Sequence, residues 1–95
     1  MLRLNSTNLE ELEQEFIERA TEVSVEIVKN ICDALDADAD EVNIAIVTQL
    51  NIDIKVNRQG YLEGLTSNLS RCAEAEEFEL CHRAKEWIEA LKDKN

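Results

Sequence analysis

The side chains best suited to chemistry lie in residues 72–82, which contain two of the three cysteines and the only histidine of the chain. Cys72, Cys81 and His82 could supply sulfur and imidazole ligands to zinc, and Cys81 with His82 could form a nucleophile and its base. The spacing matches no standard zinc site, and a metal would need further ligands from Cys32 or from a second chain. Adjacent helical side chains point about 100° apart, so His82 is badly placed to take the thiol proton of Cys81. We therefore predict buried structural thiols, with neither a metal nor a cofactor.

No other motif in the sequence indicates catalysis. There is no glycine-rich phosphate loop, no paired-histidine motif and no Ser/His/Asp set that can be argued from spacing. Residues 36–40 alternate aspartate with alanine, as at the start of a calcium loop. An EF-hand begun at Asp36 needs glycine and glutamate where the chain has Glu41 and Val47. The sequence therefore predicts a protein that is not an enzyme.

The formal net charge of −11 narrows the choice of partners. Such a field repels a phosphate backbone, so direct nucleic-acid binding is not expected. No apolar run has the length of a membrane span, and the N-terminus has no apolar run of signal-peptide length. We expect a cytoplasmic protein that binds no membrane and keeps its cysteines reduced.

The first element should be a long helix over residues 8–35. Apolar residues recur there at steps of three and four, from Leu9 to Leu35. Five glutamates form a separate acidic stripe: Glu11, Glu15, Glu18, Glu22 and Glu26. At ~1.5 Å per residue this helix would be about 40 Å long, which is more than so small a chain can cover. We therefore expect the helix to pack against a second copy.

Residues 42–56 indicate a strand. Apolar or β-branched residues occupy every second position from Val42 to Val56, which gives a strand one apolar face but would scatter them around a helix. A lone strand cannot pair its own backbone groups. The segment therefore either turns near Gln49–Asn51 or pairs with the same strand of a second chain. The alternative is a third helix, which would make the protein an all-α helical bundle.

The remaining residues predict two antiparallel helices, 59–75 and 77–92, joined by an acidic turn. Phe78 and Ile88 should lie in the core between these helices, and Cys72 and Cys81 could face one another across them. Together with the long helix and the strand-like segment, this hairpin predicts a single small domain over residues 1–95. Its class would be mostly α, with α+β topology.

Residues 69–91 resemble the UVR domain, a helical hairpin found in nucleotide-excision-repair proteins and in some ATPase-associated adaptors. In that family an apolar helix and an acidic turn precede Phe or Tyr and then Glu, with small, basic-acidic and apolar residues at fixed offsets. The matching residues here are Glu77, Phe78, Glu79, Cys81, Lys85, Glu86, Ile88 and Leu91. His82 and Ala84 stand where the family usually has alanine and leucine. The resemblance implies a hairpin that self-associates or docks a partner.

These features predict a small acidic interaction or adaptor protein that acts as an oligomer, most simply a dimer. Its hairpin would dock a protein partner or a second copy. The alternative is an acidic inhibitor that imitates nucleic acid and blocks a host nuclease or another DNA-binding protein. A third possibility is a ligand-sequestering protein with a site between subunits, lined by Lys55, Arg58 and Tyr61. The candidate interaction residues are Glu15, Glu18, Glu22, Glu26, His82 and Trp87.

Overall fold

The structure, a computed structural model, describes residues 2–93 as a mostly helical α+β fold, which confirms the predicted class rather than the all-α bundle. The strands are β1 (Leu2–Leu4), β2 (Glu41–Val47) and β3 (Ile52–Asn57). The helices are α1 (Leu9–Glu18), α2 (Ala20–Asp36), α3 (Tyr61–Glu74) and α4 (Phe78–Asp93). Across this range, no helix combines the length and apolar character that a membrane crossing requires.

The predicted helix over 8–35 is present but is interrupted at Arg19, so α1 and α2 are separate elements. Asn8 caps α1 by accepting a hydrogen bond from the backbone N–H of Glu11. Arg19 leaves the helical conformation at φ −109° and ψ 27°. Its guanidinium donates to the backbone carbonyl of Arg3 in β1 at 2.9 Å. The sequence has no glycine or proline at this position, so the interruption is visible only through the contact with β1.

β2 is the central strand of the sheet, with β1 parallel to it on one side and β3 antiparallel on the other. The helices α1 and α2 form the long crossover that two parallel strands need. Residues 42–56 turn back within the chain, which is one of the two alternatives that the sequence left open. Asn51 makes this turn in the left-handed conformation at φ 55°, and its N–H donates to the carbonyl of Thr48 at 3.2 Å. The strand pairing therefore needs no second chain.

A bulge in β2 shifts the alternation that the sequence predicts. Asn43 pairs with Lys55 and Ala45 with Ile54, so Ile44 is an extra residue without a partner opposite. Ile44 and Ala45 are both buried, and the buried face then continues through Val47. Within β2, the pattern of every second residue is therefore correct only up to the bulge. Beyond the bulge, Ile46 is only half-buried, and Ala45 and Val47 take the core positions. In β3 the pattern is correct again, since Ile54 and Val56 pack against the core.

The buried residues form two apolar cores, and α2 belongs to both. One core lies between α2, α3 and α4 and contains Ile31, Leu65 and Ile88. The other lies between the sheet and the helices α1 and α2. Ile27 packs against both cores, as do Val42 and Val56 of the sheet. The position of α2 therefore sets both the sheet contact and the helical hairpin contact.

Both α2 and α3 end with a left-handed residue that is not glycine. Asp38 (φ 55°) follows α2 and Glu76 (φ 61°) follows α3. After α3, the backbone N–H of Glu77 donates to the carbonyl of Cys72 at 3.0 Å, and Ala39 makes the equivalent bond after α2. This is the Schellman arrangement, in which glycine is the usual left-handed residue. Neither glycine of the chain has a positive φ, so the composition does not reveal these two helix ends.

Substituting Glu76→Gly should stabilise the protein. A left-handed conformation is unfavourable for a residue with a Cβ, and removal of that cost outweighs the extra freedom of glycine in the unfolded chain. We expect the free energy of unfolding in urea to rise by about 0.5–1 kcal/mol. The control is Glu74→Gly, which removes the same charge from a helical position and should lower stability by about 1 kcal/mol. Equal destabilisation by both variants would contradict this interpretation.

Candidate functional site

An open groove runs between α3 and α4 on the outer side of the hairpin. It has a volume of about 500 Å³. Its wall is largely apolar, and the residues along it include Leu69, Ser70, Ala73, Phe78, Cys81 and Lys85. A concave and mostly apolar surface of this kind is the usual form of a binding site.

Phe78 is the prominent residue of this groove, because 67% of its surface is exposed. The prediction that Phe78 lies in the core is therefore wrong, whereas Ile88 is buried as expected. The buried face of α4 consists of Leu80, Cys81, Ala84 and Ile88. At 3.6 residues per turn, Phe78 projects roughly a quarter of a turn away from the centre of that face. The burial of those four residues shows which face of α4 is the inner one, and Phe78 lies outside that face.

The hairpin that carries the groove is firmly positioned. The Tyr61 hydroxyl at the start of α3 donates to the backbone carbonyl of Ala39 at 2.9 Å, and the tyrosine is wholly buried. In the middle of α3, the Asn68 side chain accepts a hydrogen bond at 2.8 Å from the hydroxyl of Ser24 in α2. The Schellman arrangement after α3 then ends that helix, and the chain turns back into α4. The groove wall is therefore formed by elements that the core holds in place.

The cysteines are buried free thiols, as the sequence predicts. Burial raises the pKa of Cys32 and of Cys72 to about 11, so both thiols stay protonated at neutral pH. A protonated and buried thiol is a poor nucleophile and a poor metal ligand. Throughout residues 2–93, no three His, Cys, Asp or Glu side chains are grouped so that they could hold a metal ion.

Four exposed carboxylates lie at the connection between α3 and α4: Glu74, Glu76, Glu77 and Glu79. Two of them, Glu77 and Glu79, line a separate cleft beside α2. None of them forms a side-chain ion pair or hydrogen bond with another residue between 2 and 93. Lys85 lies two helical turns further along α4, which is about 10 Å away. Among the described residues that line the groove, Lys85 alone is charged.

The predicted acidic residues on the first two helices are mostly bonded within the molecule. Glu15 accepts hydrogen bonds from the backbone N–H groups of Asn5 and Ser6 at 3.1 Å and from the Ser6 hydroxyl at 2.6 Å. It also forms an ion pair with Arg19, at 2.9 Å. Glu22 forms an ion pair with the same arginine. Through these hydrogen bonds, Glu15 holds the loop after β1 against α1.

The other two acidic candidates lie in different surroundings. Glu18 is exposed on α1 and accepts a hydrogen bond from Gln14 at 3.1 Å. Glu26 is half-buried on α2, where it accepts from the Asn30 amide at 3.0 Å and lines a cleft with Glu79 and Arg83 of α4. The stripe is therefore divided between two helices and is not a uniform row of free carboxylates.

His82 and Trp87 lie on α4, away from the groove wall. The exposed His82 lies with its Nε2 at 2.6 Å from a carboxylate oxygen of Glu86, one turn further along the helix. The half-buried Trp87 donates its indole N–H to Asp36 of α2 at 3.0 Å, and Arg83 donates to Asp36 at 2.8 Å. These contacts join α4 to the end of α2. Trp87 therefore stabilises the packing of the helices that carry the site.

The residues considered for a ligand site between subunits also have partners within the chain. Arg58 pairs with Asp38 and Asp40 at 2.9 Å each, and these contacts connect the start of α3 to the turn after α2. Lys55 lies 3.9 Å from a carboxylate oxygen of Glu41 on the adjacent strand. Since Tyr61 is buried and bonded to the chain, the three residues form no common open site.

Comparison with protein-family models, with curated proteins and with solved structures finds no match to this chain. The resemblance of residues 69–91 to the UVR domain therefore stays a prediction. Those residues do lie in the two C-terminal helices, which contact each other. The groove around Phe78 is accordingly identified as the candidate site by its geometry and exposure.

Replacing Glu15 should show whether it is a structural residue. Glu15→Gln keeps the shape but weakens four hydrogen-bonding contacts, so the free energy of unfolding at neutral pH should fall by about 1–3 kcal/mol. Glu18→Gln, on the same helix, should change stability by less than about 0.5 kcal/mol. Equal and small effects of the two substitutions in urea unfolding would contradict the structural role.

The contribution of Glu15 to the stability of the fold should also depend on pH. The pKa of Glu15 is lowered from its ordinary value of 4.5, chiefly because its carboxylate accepts the hydrogen bond from the Ser6 hydroxyl. Burial has a smaller effect that raises this pKa. A carboxyl with a lowered pKa stabilises the fold fully above the unfolded-state pKa and loses that contribution as pH falls through the folded-state pKa. The difference in stability between wild type and Glu15→Gln should therefore shrink on acidification from neutral pH to about pH 3. A difference that is independent of pH would refute this assignment.

Proposed function

We propose that this chain is a non-enzymatic protein-interaction module that binds a partner protein through the groove around Phe78. The observation that carries the proposal is the exposed ring of Phe78 beside an apolar groove on a well-packed hairpin. Complete burial of such a side chain contributes about 1.5–3 kcal/mol. A few side chains that become buried on binding, many of them aromatic, commonly supply most of the binding energy of an interface.

The surroundings of the reactive side chains support a role without catalysis. Cys81 is buried in the groove wall, and His82 on the next position points toward Glu86. A catalytic thiol needs both access to substrate and a nearby base that can take its proton. Binding through an apolar surface needs neither.

The second candidate function is that of an acidic inhibitor that imitates nucleic acid, and it rests on the overall net charge of −11. Its residues would be the glutamates of α1 and α2. Because Glu15 and Glu22 both bind Arg19, part of that charge is already compensated. The hypothesis therefore has less support from the geometry than the groove has.

Oligomerisation stays a prediction, although its two original grounds no longer hold. The first helix is divided at Arg19, and the strand segment pairs within the chain. The remaining ground is the edge of β3, which pairs with a strand on one side only within residues 2–93. A second copy could extend the sheet along this edge.

Light scattering should then give about twice the monomer mass of 10.8 kDa, and a monomeric mass at micromolar concentration would refute the dimer.

Phe78→Ser should leave the fold intact but remove partner binding. Because the ring is exposed, we expect a change in unfolding free energy of less than about 1 kcal/mol. The matched control is Leu9→Ser, which removes an exposed apolar side chain from α1. Wild type, Phe78→Ser and Leu9→Ser would each be used as bait in extracts of the native source, with quantitative mass spectrometry.

The proposal requires a specific pattern in this experiment. At least one protein should be retained by wild type and by Leu9→Ser and lost with Phe78→Ser. Partners that bind equally to all three baits would contradict a function of the groove. A loss of stability of ~3 kcal/mol or more in Phe78→Ser would show that the ring is buried and is not a contact residue.

A further inference from the structure

The sheet has two edges, and they differ in how far they are open to another strand. β1 consists of three residues, and the backbone carbonyl of Arg3 already accepts a hydrogen bond from Arg19. β3 consists of six residues and pairs only with β2 within residues 2–93. The outer side of β3 therefore has no strand partner in that range, which makes β3 the edge to which a further strand can add.

The side chains of β3 divide into an apolar face and a charged face. The apolar residues alternate with the charged ones: Ile52, Ile54 and Val56 against Asp53 and Lys55. Because successive side chains of a strand point to opposite faces, the apolar three share the face on which Ile54 and Val56 pack against the core. Ile52 is 37% exposed although it lies on this face. A further strand along β3 would cover this apolar surface.

The charge of this region differs from that of the whole chain. Residues 42–57 contain one acidic and one basic side chain, Asp53 and Lys55, whereas the chain as a whole has a net charge of −11. Charges further than about 8 Å apart are largely screened at physiological ionic strength. The two charges of β3 itself therefore decide how well a second copy fits against this edge.

Symmetry restricts how two copies of β3 can pair. A closed dimer has a two-fold axis, and identical strands related by such an axis perpendicular to the sheet run antiparallel with their apolar faces on the same side. In an antiparallel ladder, directly opposed residues either both point their backbone groups at the other strand or both point them away. Since this orientation alternates along a strand, the axis must pass beside a single residue. Near the middle of β3 that residue is Asp53, Ile54 or Lys55.

The charges favour one of these three registers. An axis at Asp53 would place two aspartates opposite each other, and an axis at Lys55 would place two lysines opposite each other. An axis at Ile54 instead places Asp53 of each copy opposite Lys55 of the other. The same register sets the exposed Ile52 opposite Val56 of the other copy. Opposite charges that face each other across two strands stabilise their pairing, and like charges destabilise it.

We infer that β3 pairs antiparallel with β3 of a second copy, with the two-fold axis at Ile54, so that the two sheets form one sheet of six strands. A lysine on an edge strand by itself discourages pairing, and Asp53 of the other copy removes that obstacle to Lys55. This inference rests on the oligomeric state included in the proposed function and specifies its surface and register. Because the pairing uses the open edge of β3 in both copies, assembly stops at the dimer.

Charge reversal at the two positions tests the register. Asp53→Lys sets lysine opposite lysine twice, and Lys55→Asp sets aspartate opposite aspartate twice. In sedimentation equilibrium at physiological ionic strength, each variant should dimerise at least about tenfold more weakly than wild type. An equimolar mixture of the two variants should dimerise about as tightly as wild type does, because every lysine of one strand then faces an aspartate of the other.

Two further variants serve as controls. Glu13→Lys changes the net charge as much as Asp53→Lys does, but at an exposed position of α1. It should dimerise as well as wild type or better, since it lowers the repulsion between two acidic chains. The double variant Asp53→Lys/Lys55→Asp restores the opposed charges and should dimerise as wild type does. Circular dichroism should show that all variants are folded, because Asp53 and Lys55 are both exposed.

Three results would overturn the inference. The first is a wild-type chain that stays monomeric at micromolar concentration. The second is a dimer that neither charge reversal weakens, or that Glu13→Lys weakens as much as Asp53→Lys does. The third is a failure of both the mixture and the double variant to recover dimerisation.

This inference and the groove proposal fail in different ways. Phe78 lies on α4 and not in the sheet, so Phe78→Ser should stay dimeric. A dimer that Phe78→Ser dissociates and Asp53→Lys leaves intact would place the second copy in the groove and refute pairing through β3. A monomeric wild type that still retains a Phe78-dependent partner from extracts would refute the dimer and support the function of the groove.

Discussion

The close approach of α2 and α3 is the contact on which the rest of the structure depends. Gly64 makes it possible, because a Cβ at that position would lie 2.6 Å from Cδ1 of Ile31, which is itself fully buried. α2 also contacts the sheet, so this contact fixes one helix against two cores. A larger separation would loosen the bond between Ser24 and Asn68 and uncover Cys72, which lies along the same interface.

A helix shared by two cores allows 95 residues to bury apolar surface on both sides of one element. The sheet needs α2 because its inner face consists of Leu2, Leu4, Ile44, Ala45 and Val47. The hairpin needs α2 because neither α3 nor α4 can bury its apolar stripe alone. With its inner side occupied in this way, the hairpin presents only its outer side, and Phe78 with it, to other molecules.

The acidic residues of the chain fall into two groups with different physical roles. Some hold parts of the fold together, as Glu15 does for the loop after β1 and as Asp36 does for Arg83 and Trp87. The carboxylates between α3 and α4 form no such bonds within residues 2–93. Total charge does not distinguish the two groups, because it counts a bonded carboxylate and a free one alike.

The sequence by itself determined the class of the fold, the helical hairpin, the burial of the cysteines and the presence of a strand over 42–56, because these follow from local periodicity. Tertiary structure alone decided the interruption at Arg19, the addition of β1 (Leu2–Leu4) to the sheet and the bulge at Ile44. Each of these depends on a partner far away in the chain, which no local pattern records. The exposure of Phe78 was decided in the same way. Its type and position suit a core residue, and only the direction in which α4 faces α2 and α3 shows that its ring remains outside.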